Sequence, residues 1–227
     1  MMMKKGLWRK SLALVMAVLL FCTACTGGTN NDGGSGDGGG SDGVTEGPHG
    51  IKYAADQTLH LVYSTEAETL HPYSGSNGAG TWQAISNLVE GLQSVDQYGN
   101  FVPGLAESYT VSGDDLVYTY KIRQGVHWVD WEGNEKDELT AEDFVTAARY
   151  ICDPANASGA VSYYDGIIAG ATALLGGETT DMETLGFKAT DTYTLEITLE
   201  KPVTYFYGYG GHFIPVPTSM FNELGAG

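Results

Sequence analysis

Residues 51–227 are predicted to adopt a mixed α/β fold on three observations. Segments of strict two-residue alternation, segments with helical spacing of apolar residues, and turn residues between them follow one another along this stretch. Hydrophobic residues make up 42% and aromatic residues 11% of the 227-residue chain, enough to bury a core. Residues 1–50 show neither period.

The expected elements run in order. Thr58-Leu59-His60-Leu61-Val62-Tyr63 reads as a first strand. Thr81 is placed to cap a helix running to Glu90, with Trp82, Ile85, Leu88 and Val89 on one face and Gly91 as its stop. Residues 116–123 alternate, with Leu116, Tyr118, Tyr120 and Ile122 on one side and Val117, Thr119, Lys121 and Arg123 on the other. Residues 107–111 can pair with them across Ser112-Gly113-Asp114-Asp115 as a hairpin. Thr140-Ala141-Glu142-Asp143 has the form of a capping box, with Asp where Glu is usual. It opens a helix whose Phe144, Val145, Ala147, Ala148 and Ile151 share a face, ending near Asp153-Pro154. Tyr193-Thr194-Leu195-Glu196-Ile197-Thr198-Leu199 alternates again as a last strand, and no internal repeat is visible.

Residues 1–25 read as an export signal. Lys4, Lys5, Arg9 and Lys10 precede an apolar run, SLALVMAVLLF, of 11 residues. That is short of the roughly twenty a spanning helix needs and suits the apolar core of a secretory signal. Cys22-Thr23-Ala24-Cys25 resembles a bacterial lipobox, with Cys22 where leucine is usual, so Cys25 is the expected lipidation site. Residues 26–50 hold 11 glycines and one branched aliphatic residue, Val44. Such a composition describes a flexible tether with a reach of about 25–30 Å.

Charge and reactive residues exclude several function classes. Beyond the first ten positions, 7 basic residues face 28 acidic ones, which argues against holding nucleic acid through a positive field. With Cys22 in the signal and Cys25 lipidated, only Cys152 remains, so no internal disulfide is expected and Cys152 reads as a small core residue. His49, His60, His71, His127 and His212 show no metal-ligand spacing. Residues 51–227 contain no G-x-S-x-G or H-E-x-x-H. A hydrolase therefore has no positive support; no enzyme activity, cofactor or metal is expected.

Six stretches, in order, resemble the solute-binding proteins of peptide-type ABC importers, the oligopeptide- and dipeptide-binding family (family 5). They are Glu66-Ala67-Glu68-Thr69-Leu70-His71-Pro72, where His71 stands for the usual Asp; Leu88-Val89-Glu90-Gly91-Leu92; and Pro103-Gly104-Leu105-Ala106-Glu107-Ser108-Tyr109. The others are Tyr118-Thr119-Tyr120-Lys121-Ile122-Arg123-Gln124-Gly125-Val126-His127-Trp128, Leu139-Thr140-Ala141-Glu142-Asp143-Phe144, and Leu185-Gly186-Phe187-Lys188-Ala189-Thr190-Asp191 with the strand that follows. A longer, charged insertion at 129–138 is expected to extend a surface loop.

The resemblance implies a periplasmic-binding-protein-like class II fold, bilobed, with a smaller domain inserted in the first lobe. It implies a first piece of lobe I at 51–92, the inserted domain at 93–203 and a return to lobe I over 204–227, with the second lobe expected to be missing. It further implies a monomeric, exported receptor, lipid-anchored on the extracellular or periplasmic side, that passes peptides to a membrane ABC permease. A nickel or sugar binder on the same fold, or an adhesive surface lipoprotein, are the alternatives. Within it, Ser76, Asn77, Gly78, Ala79 and Gly80 are expected to line the cleft, because small residues let a peptide backbone approach and pair as an added strand. Tyr163 and Tyr164 are the second expected contact, as an aromatic contribution to the cleft.

Overall fold

The structure, a computed structural model, describes residues 58, 60, 62, 65–67, 69–74 and 79–224. The expected signal, Cys25 and the tether lie outside these residues. The chain separates into two compact units, Met1–His60 and Leu61–Gly227, and every element below belongs to the second. Thr58, His60 and Val62 are in no strand, and Leu59, Leu61 and Tyr63 lie outside the described residues.

The fold is mixed α/β, as the alternating and helical periods predict. Its centre is a four-stranded antiparallel sheet in the order β3-β4-β8-β7, formed by Ala106–Val111 (β3), Val117–Ile122 (β4), Phe187–Asp191 (β7) and Thr194–Thr198 (β8). The predicted hairpin is β3–β4, with Tyr109 opposite Tyr120 and Val111 opposite Tyr118. β8 lies on the other side of β4, pairing Tyr120 with Leu195 and Tyr118 with Ile197. Directly opposed residues share a face, so Tyr118, Tyr120, Leu195 and Ile197 form one buried surface. Glu107 is the extra residue of a bulge between the pairs Ala106–Ile122 and Ser108–Lys121.

Helix α2, Ala141–Cys152, is the predicted capped helix, and its whole predicted apolar face is buried. The capping box forms, but Asp143 does more than cap. Its carboxylate, 4% exposed, accepts from the Thr140 N–H at 3.0 Å and from Trp128 Nε1 at 3.1 Å. It also accepts from the Thr218 N–H at 2.9 Å and the Thr218 hydroxyl at 2.6 Å. Four donors make a buried carboxylate tolerable where an unpaired one would be expelled. They also tie α2 to Trp128 and to the start of α3, Thr218–Leu224. Cys152, expected in the core, is fully buried, and burial pushes its thiol up to about 12.

Two expectations are corrected. The helix predicted over 81–90 is α1, Ala79–Ile85, and it ends six residues before Gly91. The Leu88 N–H bonds the Ile85 carbonyl at 2.8 Å and Asn87 Nδ2 bonds the Gln83 carbonyl at 2.7 Å, winding the chain into turns that leave Leu88 exposed. Gly91 instead permits a close approach, since a Cβ there would lie 2.6 Å from the Gly211 carbonyl oxygen. The insertion at 129–138 is not a plain loop: it completes a hairpin of β5, His127–Val129, and β6, Glu135–Glu138.

A further hairpin, β1 (Gln93–Val95) with β2 (Phe101–Pro103), escaped the sequence reading. Both small hairpins turn on the same pattern, Asp-x-x-Gly-Asn, at 96–100 and 130–134. In each, the Asp carboxylate accepts from the backbone N–H two and four residues on, at 2.8–2.9 Å, and from the Asn amide. Gly99 and Gly133 both take φ of +83°, which a side chain resists. The Asn side chains are the main cause holding both Asp carboxyls below the usual range. The repeat that was not seen in the sequence is this turn.

Candidate functional site

The segment following β8 carries Tyr205-Phe206-Tyr207-Gly208-Tyr209-Gly210-Gly211-His212, most of it wound into a 3-10 helix over Phe206–His212. Phe206 is buried, its ring 4.6 Å from Tyr118 and 5.6 Å from Phe213, which fastens the segment to the sheet. Tyr205 is exposed, and Tyr207 and Tyr209 are half-buried. Gly210 packs against the Gln93 side chain, which a Cβ there would have to displace.

Tyr163, at the end of the 3-10 turn Val161–Tyr163, comes to this surface. Its ring stacks on His212 at 4.3 Å and 16°, and meets Tyr209 edge-on at 5.5 Å and 88°. Tyr205 adds a further ring 5.5 Å from Tyr209. Beneath lies Tyr73, 2% exposed, whose hydroxyl donates to the Ile214 carbonyl at 2.7 Å and accepts from the Ile214 N–H at 2.8 Å. Burial pushes the Tyr73 phenol well above its usual range, so it stays protonated. His71 orients it, its Nδ1 accepting from the Tyr73 N–H at 3.1 Å while its ring lies 4.7 Å from Tyr150. Partial burial holds both His71 and His212 below the usual imidazole range.

Of the expected site residues, Ser76, Asn77 and Gly78 lie outside the described residues. Ala79 and Gly80 are the first two residues of α1, so the loop expected there does not extend to them. Tyr163 is half-buried, its ring against His212 and Tyr209. Tyr164 is corrected: it is 1% exposed, with its ring 5.4 Å from Phe187 and 5.7 Å from Phe213. Neighbours in a tight helical turn point to different sides, and here one faces the surface and the other the core. Tyr205, Tyr209 and His212 were missed. The signal was present as four aromatics and three glycines within eight residues, but no period marks such a run.

Chemically, the surface offers ring faces, an imidazole and backbone groups for stacking and hydrogen bonding. Among the described residues no group of three His, Cys, Asp or Glu is placed to hold a metal, and no helix is long and apolar enough to cross a membrane.

The family model for bacterial extracellular solute-binding proteins, family 5 (middle region), matches residues 100–225. The oligopeptide-binding protein AliB of Streptococcus pneumoniae is 41% identical over 164 residues, covering 72% of this chain and 25% of that protein. The periplasmic oligopeptide-binding protein OppA of Escherichia coli is 35% identical over 181 residues, 78% of this chain and 32% of that protein. Among solved structures, Listeria monocytogenes OppA bound to peptide superposes with a TM-score of 0.66 at 29% identity, covering 75% of this chain and 32% of that one. The chain thus spans about a quarter to a third of the length of these relatives.

Proposed function

This chain belongs to the bacterial extracellular solute-binding proteins of family 5, and we propose that it is part of a receptor that captures oligopeptides for an ABC-type importer. In this reading residues 51–92 and 204–227 contribute to one lobe, residues 93–203 form the inserted domain, and a second lobe supplies the opposite wall of the cleft. The receptor is exported, monomeric and held at the membrane by a lipid on Cys25, with residues 26–50 as its tether. The peptide lies along the segment 76–80 and against Tyr163, Tyr209 and His212. The observation that carries the reading is this stacked aromatic surface, on a chain whose relatives are named for oligopeptide binding. Flat rings accept varied side chains at little entropic cost, and backbone pairing needs no particular sequence.

Calorimetric titration of the intact receptor, second lobe included, with tri- to pentapeptides tests the proposal. Saturable heat is expected, with affinity about tenfold weaker in Tyr163→Ala, the loss of one stacking contact of about 1–1.5 kcal/mol. Absence of heat with every peptide rejects the reading. Palmitate labelling of cells tests the anchor separately: it is expected in the wild type and absent in Cys25→Ala.

A further inference from the structure

A cavity of about 220 Å³ opens between β1, the bulged end of β3, β4 and the Phe206–His212 segment, lined among others by Gln93, Ala106, Glu107, Tyr109, Tyr120 and Tyr207. Two of its polar residues are unsatisfied. Gln93 is 5% exposed and Tyr120 fully buried, and neither Gln93 Oε1 nor the Tyr120 hydroxyl has a hydrogen-bond partner. Leaving a buried polar atom unpaired costs about 1–3 kcal/mol, so two around one cavity point to something that pairs with them.

The rest of the lining indicates what that is. The rings of Tyr109 and Tyr120 stack at 5.5 Å, and Tyr207 lies 5.3 Å from Tyr109. Glu107, at the β3 bulge, is among the lining residues, and no Lys or Arg lines the cavity. The chain as a whole carries a formal charge of −17. An amide oxygen, a phenolic oxygen, a carboxylate and aromatic faces make a set that accepts N–H bonds and attracts positive charge.

We propose that this cavity binds a primary ammonium or guanidinium group carried by a small ligand. The group donates to Gln93 Oε1 and the Tyr120 oxygen, lies against the rings of Tyr109 and Tyr207, and is balanced by Glu107. Burial pushes the Tyr120 phenol well above its usual range, so its oxygen meets the cation as a neutral hydroxyl. The site is separate from the proposed peptide surface, and its failure would leave that reading standing on Tyr163, Tyr209 and His212.

The test uses the whole 227-residue chain with agmatine and n-butylamine as probes and n-butanol as the neutral control. Saturable binding of the two cations is expected, together with a clearly weaker response to n-butanol. Gln93→Met and Tyr120→Phe each weaken agmatine by about tenfold or more, the loss of one hydrogen bond to a charged group. A structural role predicts something else for the free protein. Without probe, Tyr120→Phe leaves the melting temperature unchanged or raised, because the lost hydroxyl had no partner. Absence of saturable binding overturns the proposal, as does equal affinity for n-butanol or a lowered melting temperature of Tyr120→Phe without probe.

Discussion

Around Asp143, four donors from three separate parts of the chain converge on one buried carboxylate. Beside β3, Gln93 Oε1 and the Tyr120 hydroxyl are buried unpaired, and Tyr205, Tyr207 and Tyr209 keep part of their rings open. Both regions join segments distant in sequence, and both are rich in polar atoms. At Asp143 the polar atoms are spent on each other, which makes a junction. At Gln93 and Tyr120 they have no partner, which is the contrast between a joint and the proposed binding cavity.

The comparison breaks most readily at Asp143. Asp143→Ala strips partners from Trp128 Nε1 and the Thr218 N–H and removes the cap of α2. It is expected to lower unfolding free energy by about 3 kcal/mol or more, measured by urea denaturation. A loss under about 1 kcal/mol would mean that the four bonds add little over water, and the contrast with Tyr120 would collapse.

Tyr73→Phe sharpens the contrast with one atom. Tyr73 and Tyr120 are both buried tyrosines, but only the Tyr73 hydroxyl is paired, with Ile214 in both directions. Its removal is expected to cost about 1–2 kcal/mol, while Tyr120→Phe costs nothing; thermal melts of the two variants side by side check this.

The smallest effect is a pH dependence. His71 and His212 both titrate below their usual range in the folded chain because burial disfavours the imidazolium. The unfolded chain therefore binds the extra protons first. The stability they confer is full above the unfolded histidine value near 6.5 and is lost as pH falls through the lower folded values. A melting temperature that declines between about pH 6.5 and 5 is expected, before the carboxylates begin to titrate near 4. The decline should be shallower in His212→Gln, and a flat profile over that range would remove the histidines from the account.

The legible parts of the fold were those with local signatures. Alternation over 116–123 gave the faces of β4, and the Thr140–Asp143 box with its apolar spacing gave α2 within a residue at each end. The end of α1 was missed because Asn87 and a tightened last turn overrode the helical spacing of Leu88 and Val89. The two Asp-x-x-Gly-Asn hairpins were missed because their strands, of three or four residues, are too short to show a period. For the candidate site, Tyr163 was legible only through the family resemblance. Its separation from Tyr164 rests on a 3-10 turn that residue type does not announce.

By itself, then, the sequence determined the family, the sheet-and-helix scaffold, the burial of Cys152 and the acidic character of the chain. These follow from periodicity, capping and composition, which act between near neighbours. Only the tertiary structure decided that Asp143 is a joint, that Tyr73 grips Ile214, and that Gln93 and Tyr120 meet at one cavity with both polar atoms unspent. Those outcomes depend on contacts such as Tyr73 with Ile214, 141 positions apart, whose partners come within reach only after the sheet and α2 have packed.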